Sequence, residues 1–140
     1  MTVARLQFPF VMRKPALGAA SLVPMLPLTL ATTKNVAVSG LLDTGATVNV
    51  LPYASGVALG FDWDRQTTSV QLGGNFAAVE ARAVTVSAIV GNLAPVRLVF
   101  AWTQADDVPL LLGQVNFFAE FDVCIFRSRG IFDIRPAQRP

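Results

Sequence analysis

Leu41-Leu42-Asp43-Thr44-Gly45-Ala46-Thr47-Val48-Asn49-Val50-Leu51 sets one carboxylate in a tight turn between two apolar segments. A carboxylate walled in by aliphatic side chains is costly unless it is hydrogen-bonded or put to use. Asp43-Thr44-Gly45 occurs once in the chain. Two readings compete at this point: a turn aspartate that caps its own loop, or an acid held for chemistry.

Working outward, the flanks read as strands. Val36 to Leu42 alternates on one side of the turn, and Thr47 to Leu51 continues on the other until Pro52 stops it. Leu26 to Leu30, Thr68 to Leu72, Ala83 to Val90, Val96 to Trp102, Val108 to Leu112, Val123 to Phe126 and Ile131 to Ile134 are further strand candidates. Gly73-Gly74-Asn75 signals a hairpin, after which Phe76 resumes an extended segment. Tyr53 to Leu59 reads as a short helical turn closed by Gly60. Gln114 to Phe121 is the best helix, with Val115, Phe118 and Phe121 toward one side. Turn signals at short intervals predict an all-β domain with one short helix in its C-terminal half. Leu6, Phe8 and Phe10 alternate and fit either an edge strand or an irregular arm, so residues 1–23 read as an extension rather than a domain.

Composition narrows the chemistry. The chain has 140 residues, which makes one domain the default, and no histidine, which excludes Ser-His-Asp and Cys-His catalysis and histidine-based metal sites. The single cysteine, Cys124, forms no internal disulfide, and its apolar neighbours predict a small buried hydrophobe. No oxidising compartment is required, and the expected location is cytoplasmic. Charged residues make up 14% and hydrophobic residues 53%, against roughly 25% charged in an average soluble domain. That leaves apolar surface for either a large core or, the reading favoured here, a permanent subunit interface. A net charge of +2 with scattered arginines gives no nucleic-acid stripe. Pro15, Pro24 and Pro27 interrupt the most apolar early stretch, so neither a membrane span nor a secretory leader is expected.

Other polar groups read as structural. Asp106-Asp107 is an adjacent acidic pair of the kind usually left to solvent, Asp62-Trp63-Asp64 is a polar bend around a packed indole, and Glu80 and Arg82 fall on the solvent side of a strand. Trp102 and Phe117-Phe118 belong to the core. No cofactor and no metal is expected.

The order of three elements resembles the retropepsins, the single-domain aspartic proteases of retroviruses and related bacterial proteins. These are Leu41-Leu42-Asp43-Thr44-Gly45-Ala46 followed by Val48-Asn49-Val50-Leu51, the Gly73-Gly74 hairpin, and Leu111-Leu112-Gly113 leading into a helix. The likeness covers about residues 24–136, leaving 137–140 as a tail. It implies a closed retropepsin-type barrel acting as a symmetric homodimer on a peptide or protein substrate. Each subunit would contribute Asp43 as its catalytic acid. Thr44, Gly45 and Ala46 would complete the active-site loop, with the Thr44 hydroxyl bonding across to the other subunit. Leu72, Gly73, Gly74, Asn75 and Phe76 would form a flap over substrate, though an ordinary hairpin turn has the same signature. Leu112 and Gly113 would support the Asp43 loop. Thr47 and Gln114 stand where many retroviral members carry an Asp and an Arg, a matched neutral replacement if the two positions face each other. Behind that reading stand a dimerising or peptide-binding module without turnover and, further off, a protease that cuts only its own N-terminal arm.

Overall fold

The structure is a computed structural model that describes residues 4–13 and 19–138. The chain starts with β1 (Leu6–Pro9) and a small ribbon of β2 (Val11–Arg13) and β3 (Ser21–Val23). A hairpin of β4 (Met25–Ala31) and β5 (Asn35–Leu42) follows and runs into Asp43. After β6 (Asn49–Leu51) and helix α1 (Tyr53–Ala58) come β7 (Ser69–Val70), β8 (Ala81–Ile89), β9 (Val96–Thr103) and β10 (Leu111–Leu112). Helix α2 (Phe117–Glu120) then leads directly into the hairpin of β11 (Phe121–Phe126) and β12 (Ile131–Pro136).

Strands β4, β5, β10, β6, β9 and β8 are neighbours in that order, and β8 returns to β4, so the sheet closes on itself and removes its own edges. The order carries the argument about the site. Leu111 of β10 pairs with Leu41 of β5 in parallel and with Val50 of β6 in antiparallel fashion. β10 is therefore wedged between the two strands that the Asp43 turn connects. The end of β10 and the Asp43 turn must lie against each other.

Alternation fills the barrel. Leu26, Leu28 and Leu30 of β4, Val84 and Val86 of β8, and Leu98, Phe100 and Trp102 of β9 are all buried. Each such side chain contributes about 1.5–3 kcal/mol by leaving water. Trp102 is the anchor. Its ring stacks 5.6 Å from Tyr53 and lies edge-on 5.3 Å from Trp63, and its Nε1–H donates to Tyr53 O at 3.2 Å. A Cβ on Gly56 would enter the Trp102 indole, so glycine is required inside α1 despite its poor helix propensity. A smaller buried cluster of Val50, Leu72, Ala81, Ala101, Val108 and Leu111 lies on the other side of the sheet.

Several expectations are corrected. The helix expected from Gln114 to Phe121 shrinks to Phe117–Glu120, because the Gln114 and Val115 N–H groups donate to Ala46 O and Thr47 O, both at 2.9 Å. Val115 is 57% exposed rather than on a buried helical side. The short helical turn expected from Tyr53 is borne out as Tyr53–Ala58, with Gly60 at φ +93° after it. The strands expected at Thr68 to Leu72 and Val108 to Leu112 contract to Ser69–Val70 and Leu111–Leu112. Cys124 is exposed instead of buried, because β11 is the outer strand of the sheet β1-β12-β11. Arg82 is not simply solvated: its Nη1 donates to Trp63 O at 2.7 Å, and its guanidinium lies 4.4 Å from the Trp63 ring centre. The Leu6-Phe8 part of the alternation resolves as a strand, with Phe10 just beyond its end. β1 pairs with β12 from Leu6↔Ile134 to Pro9↔Ile131, and Phe8 stacks on Phe132 at 5.5 Å. Among the described residues no helix is long and apolar enough to cross a membrane.

Candidate active site

The Asp43 turn is built almost entirely from main-chain hydrogen bonds. Asp43 N donates to Leu112 O at 3.0 Å, which ties the acid to the end of β10. Ala46 N donates to Asp43 O at 3.1 Å and closes the turn. Gly45 N donates to Asp43 Oδ1 at 2.9 Å, so one carboxylate oxygen is held by a backbone amide while the group stays partly exposed. Such a bond fixes the orientation of the carboxylate. Thr44 and Gly45 are exposed at the apex.

The segment after β10 is zipped to this turn. Gln114 N and Val115 N donate to Ala46 O and Thr47 O, and Gln114 Nε2 donates to Thr44 O at 2.8 Å. The Gln114 amide thus goes to the main chain of the turn. Gly113 lies so close that a Cβ there would be 2.5 Å from Val48 O and 2.7 Å from Ala46 O. Leu112, fully buried, holds the strand beneath.

Asn49 is the residue that sequence reasoning passed over. It is fully buried. Its Oδ1 accepts from Gly113 N at 2.8 Å, and its Nδ2 donates to Val99 O at 2.9 Å and to Asn116 Oδ1 at 3.2 Å. Asn116 in turn accepts from Val99 N at 3.0 Å and donates to Arg97 O at 2.9 Å. Two amide side chains thereby fasten the Gly113 segment to β9. The available signal was a lone Asn inside Val48-Asn49-Val50-Leu51, since a polar residue in a buried strand needs partners for every polar atom. Asn49→Ala is expected to lower unfolding free energy by about 2–3 kcal/mol, because it strips the Gly113 N–H and the Val99 carbonyl of a buried partner. Urea titration followed by tryptophan fluorescence measures this, and an unchanged midpoint would remove the role given to Asn49.

Asp43 opens onto a cleft of about 270 Å³. Asp43 and residues 45–48 form one wall, and residues 72–76 form the other. The structure brings together the Asp43 turn and the glycine-rich loop, which are separated by some thirty residues of sequence. The loop differs from the expected tight hairpin. β7 and β8 do pair, through Ser69↔Arg82 and Val70↔Ala81, but residues 71–80 form a wider loop containing a 3₁₀ turn at Gly74–Phe76. Phe76 therefore does not resume an extended segment. Gly74 adopts φ +58°, and a side chain at Gly73 or Gly74 would meet nothing within 4 Å. Leu72 is buried and belongs to the smaller apolar cluster, with Phe76 packed against it. Gln71 Nε2 spans the loop to Leu72 O and Ala77 O, both at 3.1 Å.

Among the described residues no second acid lines this cleft. Asp133 is buried elsewhere, accepting from Gln7 Nε2 at 3.1 Å with Arg5 at 3.5 Å. Asp106 Oδ1 accepts from Ala54 N at 2.8 Å and serves the first turn of α1. Among the described residues no group of three or more His, Cys, Asp or Glu side chains is arranged to hold a metal ion.

Residues 29–115 match a family model described as aspartyl protease. A search of curated proteins found no match. Among solved structures, the chain is similar to a retropepsin-like aspartic protease from Rickettsia conorii, with a TM-score of 0.61 and 15% sequence identity over 98% of both chains. At that identity the likeness concerns the fold.

Proposed function

Because this chain belongs to the aspartyl protease family, we propose that it is an aspartic endopeptidase, active as a symmetric homodimer that cleaves extended peptide substrates. The observation that carries the proposal is a single Asp43, oriented by the Gly45 amide and facing an open cleft that no second acid lines among the described residues of its own subunit. Amide hydrolysis without metal or nucleophile needs both a base and an acid. A two-fold axis at the exposed turn supplies the second carboxylate.

In this reading the two Asp43 side chains share one proton, since two carboxylates a few Å apart do not readily ionise together. The ionised member takes a proton from a water lying between them. The protonated member donates a hydrogen bond to the scissile carbonyl. Water attack gives a tetrahedral diol, and its collapse delivers a proton to the leaving nitrogen. Thr44, exposed at the apex, bonds across to the partner's turn and sets the separation of the acids. Ala46 leaves space for substrate backbone. Residues 72–76 close over the bound peptide as a flap, swinging on the buried Leu72, and exclude water. Leu112 and Gly113 hold the loop from behind. Residues 24–136 form the catalytic unit, with 1–23 as an N-terminal extension and 137–140 as a tail. A cytoplasmic site of action fits a chain whose one cysteine is free.

Solution mass and cleavage of a mixed peptide pool, measured together across pH, test the proposal. The expected result is a dimer that cuts peptides on the acid side of neutrality, is blocked by a statine peptide, and loses activity once the pair gives up its shared proton. A monomer without products at any pH would refute it. Peptide binding by a dimer without products would favour a recognition module instead.

A further inference from the structure

Gln114 has no part in the chemistry proposed above, yet it reaches the Asp43 turn twice. Its main-chain N–H donates to Ala46 O at 2.9 Å, and its side-chain Nε2 donates to Thr44 O at 2.8 Å. The root of this side chain is fixed from both directions. Gly113 N donates to Asn49 Oδ1 at 2.8 Å, and Val115 N donates to Thr47 O at 2.9 Å. The side chain itself is exposed and belongs to neither buried cluster, so its hydrogen bond is what it contributes.

That bond grips one end of a rigid plane. Thr44 C=O and Gly45 N–H belong to the same trans peptide, and planarity points the two groups in opposite directions. Gln114 holds the carbonyl end. The amide end donates to Asp43 Oδ1 at 2.9 Å. A Cβ on Gly45 would lie 3.2 Å from the same oxygen, so the plane and the carboxylate are in close contact. Among the described residues no other donor reaches Thr44 O. The plane ends at a glycine, whose missing side chain does little to stop it turning over.

We propose that Gln114 is a positioning residue: by holding Thr44 O it keeps the Thr44–Gly45 peptide in the orientation that aims the Gly45 N–H at Asp43. This rests on the protease reading above, in which each Asp43 must face its counterpart in a fixed pose. A donor on the carbonyl also polarises the peptide and strengthens its amide as a donor to the acid. Gln114 lines no part of the cleft and acts through the plane alone.

The test is Gln114→Met in the full chain, a side chain of similar length without a donor. In ¹⁵N-labelled protein the Gly45 amide proton is expected to move upfield as its bond to Asp43 lengthens. Peptide cleavage is expected to lose about tenfold in kcat, part of the roughly 10²-fold cost of a 1 Å misplacement, with KM within about twofold of wild type. The urea midpoint stays where it is, because the lost bond is exposed. Gln114→Arg returns N–H donors to the reach of Thr44 O and recovers most of the kcat and the Gly45 resonance. Gln114→Ala gives the same losses should the Met variant fail to fold. A Gly45 resonance that does not move in Gln114→Met overturns the positioning role, whatever the activity. A rise in KM with kcat unchanged overturns it too, as does an Arg variant as slow as the Met one. A wild-type chain that cleaves nothing removes the protease reading and leaves the Gly45 resonance to decide whether Gln114 orients the acid.

Discussion

Asp43→Asn is expected to lower kcat/KM for peptide cleavage by at least about 10³-fold, the upper part of the range for loss of a general acid–base group, with the dimer intact. The substitution is nearly isosteric. Its carbonyl oxygen still accepts from Gly45 N, and Asp43 N still donates to Leu112 O, so the turn keeps the bonds that shape it. What disappears is the proton-carrying pair: an amide neither takes a proton from water nor shares one with its neighbour. Mixing wild-type and variant chains sharpens the result. If each dimer needs both acids, an equal, freely exchanging mixture leaves about one dimer in four active, as random pairing across a two-fold requires. An activity that instead follows the wild-type fraction linearly would mean that one Asp43 suffices, and the shared-proton mechanism would fall. Full activity in the homogeneous variant would remove Asp43 from the chemistry altogether.

The sequence made the barrel legible where burial alternates along a strand and turn residues punctuate it. β4, β5, β8 and β9 lie within two residues of where alternation places them. Pattern reading erred where main-chain bonding between distant segments overrides local preference. Gln114 and Val115 sit in a helix-like pattern, yet their N–H groups are taken by the Asp43 turn some seventy residues earlier. Cys124 reads as core from its neighbours, but its exposure depends on which strand ends the β1-β12-β11 sheet, and that order is not a local property. The Asp43 turn stood out because an acid between aliphatic runs is a local conflict. Asn49 presented the same conflict in Val48-Asn49-Val50, without turn chemistry to point to it. Its partners Gly113, Val99 and Asn116 lie fifty or more residues away.

Gly113→Ala is expected to cost about 3 kcal/mol of stability, the upper end for overpacking, and at least about 10²-fold in cleavage, as for a misplaced catalytic group. The added methyl carbon meets Val48 O at 2.5 Å and Ala46 O at 2.7 Å, both main-chain atoms that cannot rotate aside. Ala46 O is also the acceptor of Gln114 N, so the turn cannot retreat without opening that bond. Pushing residues 46–48 outward strains the Ala46 N to Asp43 O bond and carries the carboxylate with it. Helix and strand propensities favour alanine, so local preference and close packing predict opposite signs, and the contact distances decide for packing. Gly73→Ala is the matched control: its Cβ would meet nothing within 4 Å, and stability should stay within about 0.5 kcal/mol of wild type. Urea midpoints for both variants, read beside kcat/KM for Gly113→Ala, separate the cases. A Gly113→Ala protein as stable and active as wild type would show that the Asp43 loop does not depend on the close approach of β10's end, and the support role of Gly113 would be lost.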